Sequence, residues 1–286
     1  MNDRAPSAPM PPGWPARIRA VAAGELTPAA PKPSATVVLL RDTHDGPEAY
    51  LLRRRSSMAF AAGMYAYPGG GVDPRDADAE LDWAGPTPAE WAARLGVDEP
   101  TAQAVVCAAV RETFEEAGVL LAGPDAHSTA EPRDWAPERA ALEAHELSFA
   151  AFLRSHGLVL RSDLLGGWAR WVTPEFEERR YDTWFFVAAL PTGQSAALEV
   201  GEADRVAWLT PADAVAGHDA GRYGMLPPTV TVLRELLPVR SAAEALAAAG
   251  HRTVEPVLGR AETAGDRMTV RWDGYDELTI HGEFPA

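Results

Sequence analysis

Three glutamates at helical spacing carry the clearest chemical signal in this 286-residue sequence. Glu112, Glu115 and Glu116 stand at positions i, i+3 and i+4, so a helix would project their carboxylates from one face. Like charges at this spacing destabilise an isolated helix, and negative charge is disfavoured near a helix C-terminus. Mg²⁺ prefers oxygen ligands and commonly bridges carboxylates to substrate phosphates. The cluster therefore predicts a divalent-cation site, and the alternative is a solvated acidic face.

The residues around these glutamates predict a helix from about Glu99 to Ala117. Asp98 is a suitable N-cap, Pro100 fits the first turn, and Gly118 is placed to end the helix in a left-handed conformation. Apolar side chains recur at helical spacing on the other face, at Cys107, Val110, Phe114 and Ala117. One face would therefore pack against a core, and the other would remain available for chemistry.

Residues 111–119 resemble the second half of the Nudix box, the motif G-x5-E-x7-R-E-U-x-E-E-x-G-U of Nudix hydrolases, in which U is an aliphatic residue. Residues 68–73 resemble its glycine-rich opening, with Gly70 as the first box glycine. Asp76 stands where the motif has its first glutamate. The Arg-Glu pair stands at position 111 instead of 84, which implies a 27-residue insertion within the box.

The resemblance implies a role for each matching residue. Glu115 and Glu116 would be the main ligands of Mg²⁺, with Mn²⁺ as an alternative ion. Glu112 would complete the coordination or act as general base, and the Gly70 carbonyl would add a main-chain ligand. Arg111 would orient the carboxylates through a charge-assisted bond. Catalysis would therefore depend on Arg111, Glu112 and Glu116.

Two assignments within this scheme have alternatives. The partner of Arg111 would be Asp76, which could equally be a solvated loop residue. The general base has further candidates among loop carboxylates, for which an ordinary surface role is the competing interpretation: Glu175, Glu177, Glu178 and Glu202.

The interrupted box resembles the Nudix branch that contains the peroxisomal coenzyme A diphosphatases of animals. Residues 51–56 followed by 58–60 resemble the coenzyme A motif of that branch, although Phe60 replaces an expected arginine and the next glycine is displaced to Gly63. Residues 170–174 and 179–186 resemble the same branch. The implied substrate is coenzyme A or an acyl-coenzyme A. The alternatives are ADP-ribose, a dinucleotide or a nucleotide sugar, and a non-catalytic ligand sensor, although such sensors usually lose box carboxylates.

Several arginines could hold substrate phosphates, because guanidinium groups match phosphate oxygens in pairs. The candidates are Arg53, Arg54, Arg55, Arg179 and Arg180. Alternation along a strand lets only some of them face a pocket, and ordinary surface arginines are the alternative. The aromatic run Trp184, Phe185 and Phe186 is interpreted as sheet packing rather than as a platform for adenine.

Composition narrows the classes of partner. With 26 basic and 41 acidic residues the net charge is −15, which disfavours long nucleic acid. A single cysteine, Cys107, excludes a disulfide framework and a cysteine-based zinc site. No stretch approaches the ~20 apolar residues of a membrane span, so we expect a cytoplasmic protein without membrane contact. The expected partner is a small diphosphate substrate, with a homodimer as a further option.

Alternating strand and helix patterns predict an α/β (α+β) class, the Nudix α/β/α sandwich around a mixed sheet. A proline-rich arm would occupy residues 1–33, the Nudix domain residues 34–240, and a C-terminal extension packed on that domain residues 241–286. The insertion, about residues 77–98, carries its own helix with a capping box at Thr87 and a terminal Gly96. Its Trp83, Trp91 and Leu95 would pack rather than meet an acyl chain. A single helical stretch is predicted over residues 138–155.

Overall fold

The computed structural model describes residues 13–56, 61–78, 81–131, 133–196, 203–265, 267–275 and 278–283. Helices and strands alternate along these residues. The helices are α1 (Trp14–Ala22), α2 (Pro88–Leu95), α3 (Glu99–Ala117), α4 (Ala136–Glu143), α5 (Phe149–Ser155), α6 (Pro211–Asp219), α7 (Pro227–Leu236) and α8 (Ala242–Ala249). The strands are β1 (Lys32–Thr43), β2 (Gly46–Arg54), β3 (Tyr65–Ala66), β4 (Gly69–Gly71), β5 (Trp83–Ala84), β6 (Ala122–Gly123), β7 (Val159–Arg161), β8 (Leu165–Val172), β9 (Tyr181–Ala189), β10 (Ala203–Leu209), β11 (Pro256–Ala264), β12 (Arg267–Trp272) and β13 (Ile280–Glu283).

The chain divides into two compact units. The larger unit contains Ser34–Ala169 and Trp184–Glu255, and the smaller unit contains Met1–Pro33, Arg170–Thr183 and Pro256–Ala286. These units group residues by packing, whereas the boundaries at 34 and 240 were drawn from motifs and remain a prediction. Among the described residues, no helix combines the length and the apolar character needed to cross a membrane.

The sheet of the larger unit has the strand order β10-β2-β1-β9-β8, with β3 added to β2 and β4 added to β1. Strand β1 alternates, so that Ala35, Val37 and Leu39 point to one face and enter the main hydrophobic cluster. Helix α3 covers this face and contributes its buried apolar side chains to the same cluster. The box helix is thus fixed against the sheet that also carries the glycine strand β4.

The described residues of the predicted insertion belong to the larger unit. Thr87 and Glu90 form the predicted capping box of α2, and Gly96 ends the helix in a left-handed conformation. Trp91 and Leu95 are fully buried, which confirms their packing role. Strand β5 pairs in parallel with β7 in a second, three-stranded sheet.

The helical stretch predicted over residues 138–155 was wrong in its continuity. The structure has two helices, α4 and α5, with a reversal at residues 144–148. Ser148 begins α5 as its N-cap and accepts a hydrogen bond from the Ala151 N–H. Phe149 and Phe152 then pack against Phe114 of the box helix. The break lets the second helix turn its aromatic side into the core.

In the smaller unit the end of β8 pairs in parallel with β11, and β12 joins β11 and β13 in antiparallel register. Met268, Val270 and Trp272 alternate toward a buried face. The segment predicted as a proline-rich arm contains α1, whose Trp14 contacts Phe176 edge-on. Neither α1 nor β11 was predicted from the sequence.

Candidate functional site

The box helix has the predicted ends. The Asp98 side chain accepts a hydrogen bond from the Thr101 N–H at 2.8 Å, and Pro100 lies in the first turn. Gly118 adopts φ 69° and its N–H donates to the Phe114 carbonyl. Residues Glu99–Ala117 are therefore helical, as predicted, and the three box glutamates lie in the last two turns.

The acidic face of this helix is buried, which overturns the alternative of a solvated face. Only 12% of the Glu112 side chain and 8% of the Glu115 side chain are exposed. Arg111 between them is also buried. Burial of several carboxylates requires compensating donors, because an ionised group without a partner is very costly in a low-dielectric interior.

Arg111 is the donor at the centre of this cluster. Its Nε and Nη2 donate to the two Asp76 carboxylate oxygens, both at 3.0 Å. Its Nη1 donates to Glu112 at 2.8 Å and to Glu115 at 3.2 Å. Nη2 also donates to the Gly71 carbonyl at 2.9 Å. The expected contact between Arg111 and Asp76 is therefore present, and one guanidinium serves three carboxylates.

A short helical turn, Pro74–Ala77, presents Asp76 to Arg111. Asp73 caps this turn by accepting from the Arg75 N–H, and the Asp73 N–H donates to the Asp76 carboxylate at 2.8 Å. Asp76 is only 2% exposed. An aspartate can thus occupy the place of the longer box glutamate because the turn brings its main chain close to the helix.

The electrostatics of the cluster reflect an excess of negative charge. Burial raises the pKa of Glu112 to about 7, with Arg111 opposing and Glu115 adding to the shift. Burial likewise raises the pKa of Glu115, against the opposing charge of Arg111. Burial alone would lower the pKa of Arg111, but its bond to Asp76 and the charge of Glu112 raise that pKa above its usual value. A further cation would relieve this imbalance.

The glycine strand β4 closes the other side of the cluster. The Gly69 N–H donates to Glu116 at 2.8 Å. Gly70 lies directly against Glu112, since a Cβ built at residue 70 would lie 2.6 Å from the Glu112 Cδ. Any side chain here would displace that carboxylate, so position 70 requires glycine for close approach. The main chain of Gly70 is thereby a neighbour of the box glutamates.

These groups border a cavity of about 550 Å³. Its described lining contains five carboxylates and two nitrogen-bearing side chains, Arg111 and His145. The carboxylates are Asp73, Glu112, Glu115, Glu116 and Glu143. A cavity so dominated by negative charge repels a phosphate substrate unless cations accompany that substrate.

The carboxylates do not yet converge on one point. Within the described part of the chain, no three Asp, Glu, His or Cys side chains stand in an arrangement that could hold a metal ion. The reason is visible in their bonds, because Glu112 and Glu115 accept from Arg111 while Glu116 accepts from Gly69. The donor chemistry nevertheless fits a hard divalent cation, since all three groups offer carboxylate oxygens.

Three of the arginines predicted to hold substrate have partners within the protein. Arg53 forms a two-pronged pair with Asp204, at 2.7 and 2.8 Å, and Arg55 reaches the Ala203 carbonyl at 3.4 Å. Arg180 is buried and donates to the carbonyls of Thr173 and Ala29. The described lining of the cavity includes no arginine other than Arg111. A phosphate-holding role for Arg53, Arg55, Arg179 and Arg180 remains a prediction.

The remaining candidate residues are buried, hydrogen-bonded to other residues, or outside the described residues. Trp184, Phe185 and Phe186 are buried, which confirms their packing role. Glu177 accepts from the Trp14 indole and Glu178 from Arg17. Residues 58–60 of the coenzyme A motif and Glu202 lie outside the described residues.

Sequence reasoning missed Glu143 and His145, which line the cavity from the end of α4. They were placed inside a continuous helix, where nothing marked them as different from surface residues. The only signal in the sequence was the histidine itself, two residues after Glu143.

A buried carboxylate cluster on a helix, closed by a glycine strand and set on a mixed sheet, is the arrangement expected of a metal-assisted hydrolase. The NUDT19 Nudix domain family matches residues 86–236. The chain therefore belongs to the Nudix hydrolase family, and the predicted family, fold class and type of enzyme are confirmed. The match contains the helix half of the box and begins after the glycine half, which is linked to it here by the contact of Gly70 with Glu112.

Individual relatives agree with this assignment. The acyl-coenzyme A diphosphatase NUDT19 of Xenopus laevis is 24% identical over 225 residues, which cover 66% of this chain and 59% of that protein. The protein of the same name from Gallus gallus is 26% identical over 227 residues, covering 63% and 58%. The chain thus spans less than two thirds of the length of these relatives. A NUDIX hydrolase from Alicyclobacillus acidocaldarius has a similar crystal structure, with a TM-score of 0.68 at 27% identity, covering 80% of this chain and 99% of that chain.

Proposed function

We propose that this protein hydrolyses the diphosphate linkage of a nucleoside diphosphate derivative with Mg²⁺, and that coenzyme A or an acyl-coenzyme A is its main substrate. The observation that carries the proposal is the charge imbalance in the cavity. Asp76, Glu112 and Glu115 share the single guanidinium of Arg111. Such a cluster is suited to a cation that arrives with, or ahead of, a phosphorylated substrate.

Glu112, Glu115 and Glu116 would hold the ion, together with the Gly70 carbonyl. Mn²⁺ suits the same ligands. When bound, Mg²⁺ neutralises phosphate oxygens and lowers the pKa of a coordinated water. The carboxylates would exchange their present donors for the ion, and Arg111 would keep Asp76 while releasing part of its hold on the glutamates.

The protein itself contributes placement and a proton acceptor. Arg111 and Asp76 fix the last turns of α3 against the turn at Pro74–Ala77, so the carboxylates face the cavity from a rigid element. Glu112 would either complete the coordination of the ion or, if it does not bind the ion, accept a proton from the attacking water. The lack of a side chain at Gly70 lets the glycine strand approach Glu112 closely.

The choice of coenzyme A is supported by two observations. The relatives from Xenopus laevis and Gallus gallus are both named acyl-coenzyme A diphosphatases. The sequence also resembles the motifs of that branch before the box and at residues 170–186. A cytoplasmic location and a homodimer belong to the same proposal, with no long nucleic acid as partner because of the net charge of −15.

A substrate panel tests the proposal. Purified protein is incubated with Mg²⁺ or with chelator and with coenzyme A, an acyl-coenzyme A, ADP-ribose, NADH or a diadenosine polyphosphate, and product masses are measured. Release of phosphopantetheine and an adenosine bisphosphate only with Mg²⁺ is expected. Preferred cleavage of ADP-ribose or a dinucleotide would retain the metal-dependent diphosphatase and reject coenzyme A. Binding without turnover of any compound would favour a ligand sensor.

A further inference from the structure

The end of helix α4 has an unusual residue at a demanding position. The His145 N–H donates to the Leu142 carbonyl and the Glu146 N–H donates to the Ala141 carbonyl, both at 2.9 Å. This pair of bonds is the Schellman motif, in which the residue after the cap adopts a left-handed conformation and is usually glycine. His145 adopts it with φ 57°.

The other helices with left-handed ends show what the chain ordinarily uses there. Helix α2 ends at Gly96 with φ 66°, and α3 ends at Gly118 with φ 69°. A side chain in this conformation costs stability that glycine would not. An outlier of this kind that lines a cavity points to a function for its side chain. His145 lines the same cavity as the box glutamates.

Arg75 and Asp73 hold this histidine in place. Arg75 Nη1 donates to the His145 carbonyl at 3.0 Å, and Arg75 Nη2 lies 3.1 Å from the ring Nδ1. Asp73 Oδ2 lies 3.2 Å from the same Nδ1 and 2.7 Å from Arg75 Nη2. Main chain and ring thus both contact the turn that also presents Asp76, and 70% of the His145 side chain is exposed.

These contacts determine what the other ring nitrogen can do. Arg75 Nη2 has two hydrogens, of which one goes to Asp73 and the second faces Nδ1. When Nδ1 accepts this hydrogen, the ring proton resides on Nε2; in the other neutral tautomer Nδ1 donates to Asp73 Oδ2 and Nε2 is an acceptor. In the first tautomer Nε2 is a donor, and the described contacts of His145 use only Nδ1 and the main chain.

The cavity needs such a donor. All N–H groups of Arg111 point to Asp76, Glu112, Glu115 or the Gly71 carbonyl. His145 is the only other nitrogen-bearing side chain in the described lining. We propose that His145 Nε2 donates a hydrogen bond to a phosphate oxygen of the bound diphosphate and so positions the substrate. This inference rests on the proposed function.

Steady-state kinetics and thermal melting of two variants test the inference. His145→Gly relieves the left-handed backbone, so its Tm is expected to rise by ~2 °C while KM for the diphosphate substrate rises about tenfold, the cost of one hydrogen bond to a charged group. The kcat is expected to change less than KM. His145→Gln keeps an amide donor, so its KM is expected to lie between those of the wild type and His145→Gly. His44→Gly, in an exposed turn outside the cavity lining, is the matched control with unchanged KM.

Binding of the non-hydrolysable probe α,β-methylene-ADP with Mg²⁺ tests the role of His145 separately from the proposed diphosphatase function. Weaker binding by His145→Gly, with a higher Tm, supports the positioning role. Equal KM and equal probe binding in wild type and His145→Gly overturn this inference and leave the diphosphatase assignment intact. A wild type that neither binds the probe nor cleaves any diphosphate overturns both.

Discussion

Two arginines in the larger unit are equally buried but contact different numbers of carboxylates. The side chains of Arg111 and Arg161 are each 7% exposed. Arg161 forms a two-pronged pair with Asp163, at 2.8 and 2.7 Å, and donates to the Ser128 carbonyl. Arg111 binds one main-chain carbonyl in the same way, but it faces three carboxylates instead of one.

The pKa values of the acidic partners are shifted in opposite directions. The hydrogen bond from Arg161 lowers the pKa of Asp163. Burial raises the pKa of Glu112, despite the nearby Arg111. The hydrogen bond to its arginine dominates at Asp163, whose side chain is 34% exposed, whereas burial dominates at Glu112, whose side chain is 12% exposed. The proposal that the cluster around Arg111 takes up a cation rests on this excess of carboxylates over guanidinium groups, three to one.

Loss of a predicted metal ligand should have the largest effect. Glu115→Gln and Glu116→Gln should each lower kcat with Mg²⁺ by at least about 10²-fold, on the scale seen when groups around a catalytic charge are removed. Asp163→Asn should leave kcat within about twofold, because its pair lies outside the cavity lining. Initial rates with a saturating substrate measure both. Full activity in Glu116→Gln would contradict the metal role of that residue.

Removal of each arginine should lower the free energy of unfolding by a different amount. Arg111→Met leaves three buried carboxylates without their donor and should lower the free energy of unfolding by about 3–5 kcal/mol. Arg161→Met should cost less, about 1–3 kcal/mol, because the Asp163 side chain is 34% exposed and can be hydrated. Urea unfolding of both variants gives the two values. A larger loss in Arg161→Met would reverse the ranking.

Neutralising one acid beside Arg111 and one beside Arg161 should shift the Tm in opposite directions when no metal is present. Glu112→Gln removes surplus negative charge and keeps an oxygen that can accept from Arg111, so Tm should rise by ~1–3 °C. Asp163→Asn breaks a balanced pair, so Tm should fall. Melting curves in chelator at neutral pH compare them. A lower Tm for Glu112→Gln would mean that the cluster is balanced without a cation.

The same contrast should appear, more weakly, in the pH dependence of the metal-free protein. Folded Glu112 retains its proton up to a pKa of about 7, against 4.5 for the free side chain, so the folded state binds more protons in this window. Stability should therefore fall as pH rises from about 4.5 to 7. The pKa of Asp163 is lowered, so the stability that it contributes is lost only as pH falls below the usual range of an aspartate. Melting curves across pH should show a smaller first slope in Glu112→Gln, because the raised pKa of Glu115 contributes to the same slope; an unchanged slope would assign it to other groups.

Sequence reasoning succeeded where local signals define the structure. The ends of α3 followed from Asp98 and Gly118, and the contact of Arg111 with Asp76 followed from a motif with known spacing. It failed at the end of α4, because His145 occupies a position that glycine ordinarily marks. It also did not foresee the pair of Arg53 with Asp204, which is 151 residues away along the chain. Such a pairing depends on how β2 and β10 meet, which spacing does not encode.

The smaller unit shows a second reason for failure. Helix α1 follows a proline-rich stretch in the sequence. The proline content of residues 1–33 therefore suggested an arm without a helix. Strand β11 reads Pro-Val-Leu-Gly-Arg-Ala-Glu-Thr-Ala and lacks regular apolar alternation, because most of its side chains are at least partly exposed. Its pairing with β8 and β12 supplies what the local pattern lacks.

Calorimetric titration of Mg²⁺ into the protein, without substrate, tests the central claim most directly. The claim is that the charge imbalance around Arg111 is a divalent-cation site. Wild type should bind Mg²⁺, the combined variant Glu115→Gln with Glu116→Gln should lose this binding, and Asp163→Asn should retain it. Identical titrations for wild type and the combined variant would contradict the claim and leave the buried carboxylates without a metal.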